Sequence, residues 1–451
     1  MRYFLIAVLF SVAPLSAHAT EKPFLAIHPV ISPMGIQAWL VEDHAQPVIA
    51  MEFGFVRSGT AYEPAQKQGL VRLLSNMLDE GAGDMDSTTF QAALENNSIS
   101  LSFGASRDVF TGSLKTLVDT QDTAFDLLAL AISAPRFDEE ALSRMREANM
   151  TRIRSSMNDG EWIAARLFND RIFEGHPYAL NSGGTLSTLP RVTADDLRAY
   201  HKGIFTRDRL RVTVVGDVTP EELGKILDRV FAALPAKGQD IPLNDITPQN
   251  LGKTFVYDYD APQTQIMMAA PAPEPTDPDY AATVVMNHIF GGGGFGSRLM
   301  DVIREKSGLT YGIYSGLSDM DHTATLSIQS STRNETAAQL LAMVKEEITR
   351  LRDKGATEAE VKAAKGYLLG SMPAALTSTD RIAELMLSMM IDGRPLDYLD
   401  QYRAQISGVT PNAVHDMAQK WLRADGFMTL LVGKPQEIPN PIRLTDVPNV
   451  K

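Results

Sequence analysis

Residues 47–56 carry the apolar pattern of a half-buried strand, and Gly59 bounds the run. Residues 68–78 then change to helical spacing and stop before Gly81. A second helix is predicted over 87–96, with Ser87 as a plausible N-cap. Alternating segments at 99–105 and 109–117 predict two strands. Two long amphipathic helices follow over 120–133 and 138–157. An apolar strand at 211–215 ends on Gly216, and a short helix starts at Pro220.

The same order then recurs. It predicts a strand at 264–270, helices at 280–290 and 297–306, strands at 311–317 and 323–330, and helices at 335–354 and 357–369. The closing strand, 428–432, again ends on glycine. The two closing glycines are 433 − 216 = 217 residues apart, and the helix starts at 138 and 357 are 357 − 138 = 219 apart. A long-period duplication of this kind predicts two homologous domains. Strands followed by long helices predict an α+β fold, each domain a mostly antiparallel sheet with helices packed on one face, the two enclosing a cavity. The expected domains are 20–234 and 249–451, joined by a Pro-containing linker at 235–248.

Composition narrows the class. The 451 residues suit two domains of ordinary size, with 44% apolar and 22% charged residues. A net charge of -13 argues against nucleic acid as a partner. There is no cysteine, so disulfides and a lipid-modified N-terminal cysteine are excluded. Arg2, the apolar run to Leu15 and the small-x-small triplet Ala17-His18-Ala19 form the three-part pattern of a secretory signal peptide, residues 1–19. The pattern predicts cleavage near Ala19, a mature chain from about Thr20 and, in a bacterium, the periplasm. An uncleaved anchor is the alternative. The run is short for a permanent anchor, and no later segment has the length of a spanning helix, so no stable membrane anchor is expected.

Four stretches have a further likeness. They are Phe53-Gly54-Phe55-Val56-Arg57-Ser58-Gly59-Thr60 running on to Gly69-Leu70-Val71-Arg72-Leu73-Leu74-Ser75-Asn76-Met77-Leu78; His176-Pro177-Tyr178 with Gly183-Gly184; the Val-Val-Gly-Asp ending at Asp217; and Gly291-Gly292-Gly293-Gly294-Phe295-Gly296-Ser297-Arg298-Leu299 leading into Ile303-Arg304-Glu305-Lys306-Ser307-Gly308-Leu309-Thr310-Tyr311. The chain resembles the pitrilysin/insulinase zinc peptidases over nearly its whole mature length. The likeness is to the short bacterial type and to the mitochondrial processing peptidase subunits.

The resemblance also exposes a loss. Active members carry G-x-x-H-x-x-E-H on the first helix. Two histidines at i and i+4 ligate zinc from one face, and the glutamate serves as general base. In this chain those slots hold Arg72, Ser75 and Asn76, and the register places Arg152 in the slot of the third ligand. A guanidinium repels the metal, a serine is no base at neutral pH, and asparagine is a weak ligand. Glu147 lies nearby but out of register and reads as a solvated carboxylate. His28, His44, His176, His201, His288, His322 and His415 include no pair at helical ligand spacing, and His176 reads as a turn residue. This chain is expected to bind no zinc itself.

The resemblance implies that the opposite wall is kept. Arg304 and Tyr311 match the family's arginine–tyrosine pair, which holds a substrate carbonyl and its oxyanion. The alternatives are a helix-terminal arginine that caps carbonyls and a strand tyrosine that only packs. Gly291, Gly292, Gly293, Gly294 and Phe295 resemble a substrate-contacting loop, although glycines there could equally serve close packing. The G-x-G-x-x-G within that run is rejected as a dinucleotide site, because a helix precedes it instead of a strand. The expectation is a non-catalytic, substrate-binding subunit of a zinc peptidase. A paralogous partner with intact H-x-x-E-H holds the zinc, and peptides are the substrate. A scaffold protein of the same fold, or an active peptidase with atypical zinc ligands, are the alternatives.

Overall fold

The central strand of the first half, β3 (Val48–Val56), is buried along almost its whole length, which is why its apolar run is nearly continuous. The computed structural model describes residues 23–448 and 450; the expected signal peptide lies outside them. Around β3 the first half builds a six-stranded sheet from β1 (His28–Ile31), β2 (Gln37–Glu42), β4 (Ser100–Ala105), β5 (Val109–Leu117) and β6 (Leu210–Gly216), in the order β1-β2-β6-β3-β5-β4. All its pairings are antiparallel except β2 with β6. Helices α1 (Leu70–Ser75), α2 (Ser87–Asn96), α3 (Gln121–Ser133) and α4 (Glu139–Ser156) contribute Leu74, Phe90, Phe125 and Leu142 to one core with Phe53 and Phe110 of the sheet. Helices α5 (Gly160–Ile172), α6 (Ala194–Ile204) and α7 (Pro220–Phe231) complete this half.

The second half repeats the plan. It contains β7 (Thr254–Asp258), β8 (Gln263–Pro271), α8 (Tyr280–Asn287), β9 (Ile313–Met320), β10 (Thr323–Arg333), α9 (Ala337–Lys354), α10 (Glu358–Ser371), α11 (Thr379–Ile391), α12 (Tyr398–Gly408), α13 (Pro411–Trp421), β11 (Met428–Gly433) and β12 (Ile442–Leu444). Its sheet order, β9-β10-β8-β11-β7-β12, matches β4-β5-β3-β6-β2 over five strands; the sixth differs, since β12 closes its half and pairs parallel with β7 where β1 opens its half and pairs antiparallel with β2. The closing glycines do the same work in both. Gly216 (φ +144°) and Gly433 (φ +156°) end β6 and β11 against the neighbouring strand, where a Cβ would meet Val48 O at 2.1 Å and Thr264 Oγ1 at 2.6 Å.

Each half keeps its helices on one face of its sheet and lends one helix to the other half. Helix α5 lays Ile163, Leu167 and Ile172 on Phe255, Met428 and Leu430 of the second sheet. Helix α11 lays Ala383 and Met386 on Val215 of the first sheet, where Thr213 Oγ1 donates to the Ala383 carbonyl at 2.8 Å. The two lent helices start 379 − 160 = 219 residues apart, the period read from the sequence. Each fully buried apolar side chain stabilises this exchange by about 1.5–3 kcal/mol.

Several elements differ from expectation. Helix α1 is only six residues long: it opens on Gly69 (φ +90°), and Asn76 is already its cap. Strand β9 begins at Ile313, so Tyr311 does not open it but stands two residues before it. The helix expected at 297–306 is a π-helical turn at Met300–Lys306, and the one at 280–290 passes into a second π turn at His288–Gly292. Helices α5, α6 and α11 to α13 fill stretches for which the pattern predicted no element.

Candidate functional site

In the first half, the site begins with how α1 is held. Buried Glu63 accepts from the backbone N–H of Gly69 (2.7 Å) and of Val71 (2.8 Å), capping the helix start. Arg72 follows as the third residue of that helix. Its Nη2 donates to the carbonyl of Ala105, the last residue of edge strand β4, at 3.1 Å. Ser75 Oγ donates back to the Arg72 carbonyl at 2.9 Å. Asn76 Oδ1 accepts from Asn149 Nδ2 of α4 at 3.2 Å. Burial, and after it the neighbouring charge of Arg152, push the Arg72 guanidinium below its usual pKa.

The structure therefore brings Arg72, Ser75, Asn76 and Arg152 together where α1 meets α4. It adds Asn149, which the sequence reading missed although it sits one turn before Arg152 on the same helix face. Glu147 points to solvent and pairs with Arg154 at 3.8 Å. These residues do not fit zinc. The hydroxyl and the amide oxygen are engaged, and there is neither an imidazole nor a carboxylate among them. A dication about 5 Å from a single guanidinium is opposed by roughly 6–7 kcal/mol at an effective dielectric of about 20. Elsewhere among the described residues no group of three His, Asp or Glu side chains is placed to hold a metal ion.

In the second half, Arg304 and Tyr311 share a cleft of about 600 Å³. Gly308 (φ +61°) ends the π turn that carries Arg304, with its N–H returning to the Arg304 carbonyl at 3.0 Å. This reversal brings Tyr311 back beside the arginine. Arg304 Nε donates to the Tyr311 carbonyl at 2.9 Å, its Nη1 meets the Glu305 carboxylate, and its Cζ lies 4.6 Å from the Phe295 ring centroid. The Tyr311 ring is 86% exposed, and its hydroxyl has no partner among the described residues. Gln263, Ser331 and Arg333, at the ends of β8 and β10, complete the polar wall.

The glycine run serves two ends. A Cβ on Gly291 would meet Ser315 Oγ at 2.5 Å and one on Gly293 would meet the His288 carbonyl at 2.7 Å, so those positions answer to close packing. Gly292 faces Asn287 in the same way, whereas Gly294 (φ +57°) has open space around it. Phe295 stands 68% exposed on the arginine. Phe295, Tyr311 and Tyr314 thus flank the start of β9, the free edge of the second sheet. Arg298, from the same motif, is not free. Its guanidinium forks onto Glu360 at 2.7 and 2.9 Å, holding that carboxyl down to about 2.

His176 is the turn residue the sequence suggested. Its Nδ1 accepts from the Tyr178 N–H at 3.2 Å while its Nε2 faces the Asn244 carbonyl at 2.9 Å. That pair of partners requires the neutral ring with its proton on Nε2. Tyr178 in turn donates to Asp108 at 2.5 Å. His322, at the tip between β9 and β10, bonds Tyr62 and Asp245 and pins the second half to this corner.

Comparisons with known proteins agree with this geometry. Residues 48–181 match the family described as "Insulinase (Peptidase family M16)", and residues 191–368 match "Peptidase M16 inactive domain". The chain is 26% identical over 421 residues to "Non-peptidase homolog YmxG" of Helicobacter pylori, covering 92% of this chain and 95% of that one. It is 21% identical to "Probable mitochondrial-processing peptidase subunit beta, mitochondrial" of Arabidopsis thaliana, covering 86% of this chain and 74% of that one. A crystal structure titled as the peptidase M16 inactive domain from Pseudomonas fluorescens superposes with a TM-score of 0.85 at 27% identity, covering 93% of this chain and 100% of that one. With the two family matches taking in well over half of its length, and with the paired six-stranded sheets to go with them, the chain belongs to the insulinase family of peptidases, M16.

Proposed function

We propose that this chain is the non-catalytic, substrate-binding subunit of a periplasmic, heteromeric zinc metallopeptidase that acts on peptides. A paralogous partner with an intact H-x-x-E-H motif supplies the zinc and the general base. This chain supplies Arg304 and Tyr311 as donors to the substrate carbonyl. The observation that carries the reading is the contrast between the two walls. The zinc slots hold two arginines and engaged polar groups, whereas the Tyr311 hydroxyl stands free in an open cleft. Phe295, carried by the run Gly291 to Gly294, stacks on Arg304 beside the same cleft. An extended peptide added to the edge of β9 would lie beside them, its backbone bonding without strong sequence preference.

The name of the Arabidopsis relative, a subunit of a processing peptidase, supports a heteromeric arrangement. No helix among the described residues is long and apolar enough to cross a membrane. The test is peptide cleavage by this chain, by the zinc-bearing paralogue, and by their mixture. The mixture alone is expected to be fully active, and Tyr311→Phe or Arg304→Ala to lower its kcat by about 10²–10³. A paralogue that cleaves equally fast without this chain sinks the reading. The name "Non-peptidase homolog" on the Helicobacter relative favours a second reading, a binding protein without proteolytic duty. That reading gains if the chain co-purifies with a protein that is not a peptidase and has no affinity for peptides.

A further inference from the structure

A second pocket, of about 450 Å³, opens at the seam between the halves and shares no lining residue with the Arg304 cleft. Its size falls within the range of about 300–1,000 Å³ typical of small-ligand sites. Trp39 of β2 and Met390 of α11 give it an apolar wall. Arg207 and Arg211, at the start of β6, and Arg394, just past α11, give it a basic one.

The basic wall is short of partners. The Arg207 Nε is shielded from solvent and has no hydrogen bond, and no ion pair reaches its guanidinium among the described residues. Arg146, Arg166, Arg171 and Arg209 also have an unbonded shielded Nε, but each has a protein acceptor for, or an acidic neighbour to, the rest of the group. Arg211 bonds only backbone carbonyls, at Leu210 (2.9 Å) and Asp208 (3.4 Å). Asp208, the one acid in the lining, is turned to Thr206 Oγ1 at 2.5 Å. Burial first, and then the like charge of Arg57, push Arg211 down, and the charge of Asp208 offsets them only in part. Arg394 is held in place by the Pro275 carbonyl at 3.0 Å, by the Tyr398 ring at 4.9 Å and by the Asp392 carboxylate at 4.0 Å, so the free cationic groups are those of Arg207 and Arg211. In a chain of net charge -13, an arginine without an acidic partner, beside a second arginine and a tryptophan, suits an anion with an apolar body.

We propose that this pocket binds the C-terminal residue of a peptide, its carboxylate forked by Arg207 and Arg211 and its apolar side chain against Trp39 and Met390. The carboxylate chemistry is shared by free aromatic acids, and the test separates the two. Because the lining comes from both halves, the ligand ties α11 to the first sheet and raises the unfolding temperature. This inference does not depend on the proposed peptidase partner.

The experiment titrates the full protein with N-acetyl-phenylalanine, its amide, phenylacetate and inorganic phosphate, reading tryptophan fluorescence and thermal unfolding. N-acetyl-phenylalanine is expected to bind and raise the Tm. The amide should bind at least about tenfold more weakly, since charge-assisted bonds are lost. Phosphate should give no shift. Arg207→Gln and Arg211→Gln should each weaken the acid about tenfold or more, and Trp39→Phe should remove most of the fluorescence change. Both arginines are partly exposed at the surface, so unliganded Tm values close to that of the unmodified chain verify the fold. Arg207→Lys, which keeps the charge but not the fork, serves as the milder variant and should bind with intermediate affinity. Equal binding of acid and amide, or undiminished binding by folded Arg207→Gln and Arg211→Gln, overturns the site. Equal binding by phenylacetate overturns the peptide assignment in favour of a free aromatic acid.

Discussion

The two halves share the order of five strands, a period and a reciprocal helix exchange, yet their polar walls are built on opposite principles. In the first half the polar groups of the old ligand positions on α1 are turned inward, Arg72 to the end of β4, Ser75 to its own helix and Asn76 to Asn149, while Arg152 of α4 is exposed. In the second half the corresponding chemistry faces outward, with Tyr311 exposed and Arg304 on the surface of a cleft. A fold set by sheet pairing and apolar burial tolerates both, because neither wall belongs to the cores around Phe53 or Phe290.

The largest expected effect comes from reversing the first wall. Arg72→His, Ser75→Glu, Asn76→His and Arg152→Glu together should create a site that retains stoichiometric zinc through dialysis, measured by metal analysis, where the unmodified chain retains none. The same variant with Arg152 left in place should bind zinc at least about 100-fold more weakly, because it lacks the third ligand and keeps a repelling charge. If the fourfold variant folds and still takes no zinc, the halves differ by more than these four side chains.

The next effect tests the likeness instead of the difference. Leu167 of α5 and Met386 of α11 are both fully buried against the opposite half. Leu167→Ala and Met386→Ala should each cost about 2–5 kcal/mol in urea unfolding. A large loss for one and none for the other would show that the exchange is not reciprocal.

How far the sequence foretold all this depended on the kind of information needed. The central strands and the 217–219 period were legible, because burial on a pleated sheet leaves a local pattern, whereas the strand order and the strands β1, β2, β7 and β12 were not. Exchange across the halves was not, since a helical pattern says which face is buried and not against what. Helix α6 did leave a signal, Thr193 three residues before Asp196, which closes a capping box. The length of α1 was hidden because its start is set by Gly69 and its end lies at Asn76, which bonds Asn149 of α4, a tertiary contact. At the site, Arg72 and Arg304 were found by matching motif slots, while Asn149, Glu63 and the Phe295 stack on Arg304 became visible only once the chain was folded. Arg298 stands in the glycine-rich motif, and its fork onto Glu360 also became visible only in the fold.

That fork offers a smaller test of the second half. Arg298→Ala should cost about 1.5–3 kcal/mol, discounted for the partial exposure of both groups. The Glu360 carboxyl is held at about 2, below its ordinary 4.5. Its contribution is therefore complete above pH 4.5 and is lost as pH falls from 4.5 towards 2. Arg298→Ala should flatten that acid limb in a stability–pH series. An unchanged limb would show that the arginine does not anchor the loop to α10.

The smallest effect lies at the corner where the halves meet. Burial lowers the pKa of His176, and its two partners demand the neutral ring. The unfolded chain therefore takes up the proton first. Stability is full above the ordinary value of 6.5 and declines as pH falls below it. His201, buried and bonded to the Ile132 carbonyl, adds to the same limb, so His176 accounts for only part of it. His176→Asn keeps an acceptor for the Tyr178 N–H and removes the titration. It should reduce the loss between pH 7 and 5 by about 0.5–1.5 kcal/mol, the worth of one hydrogen bond. If this variant instead leaves the pH slope intact and lowers stability equally at every pH, then His176 acts by shape alone.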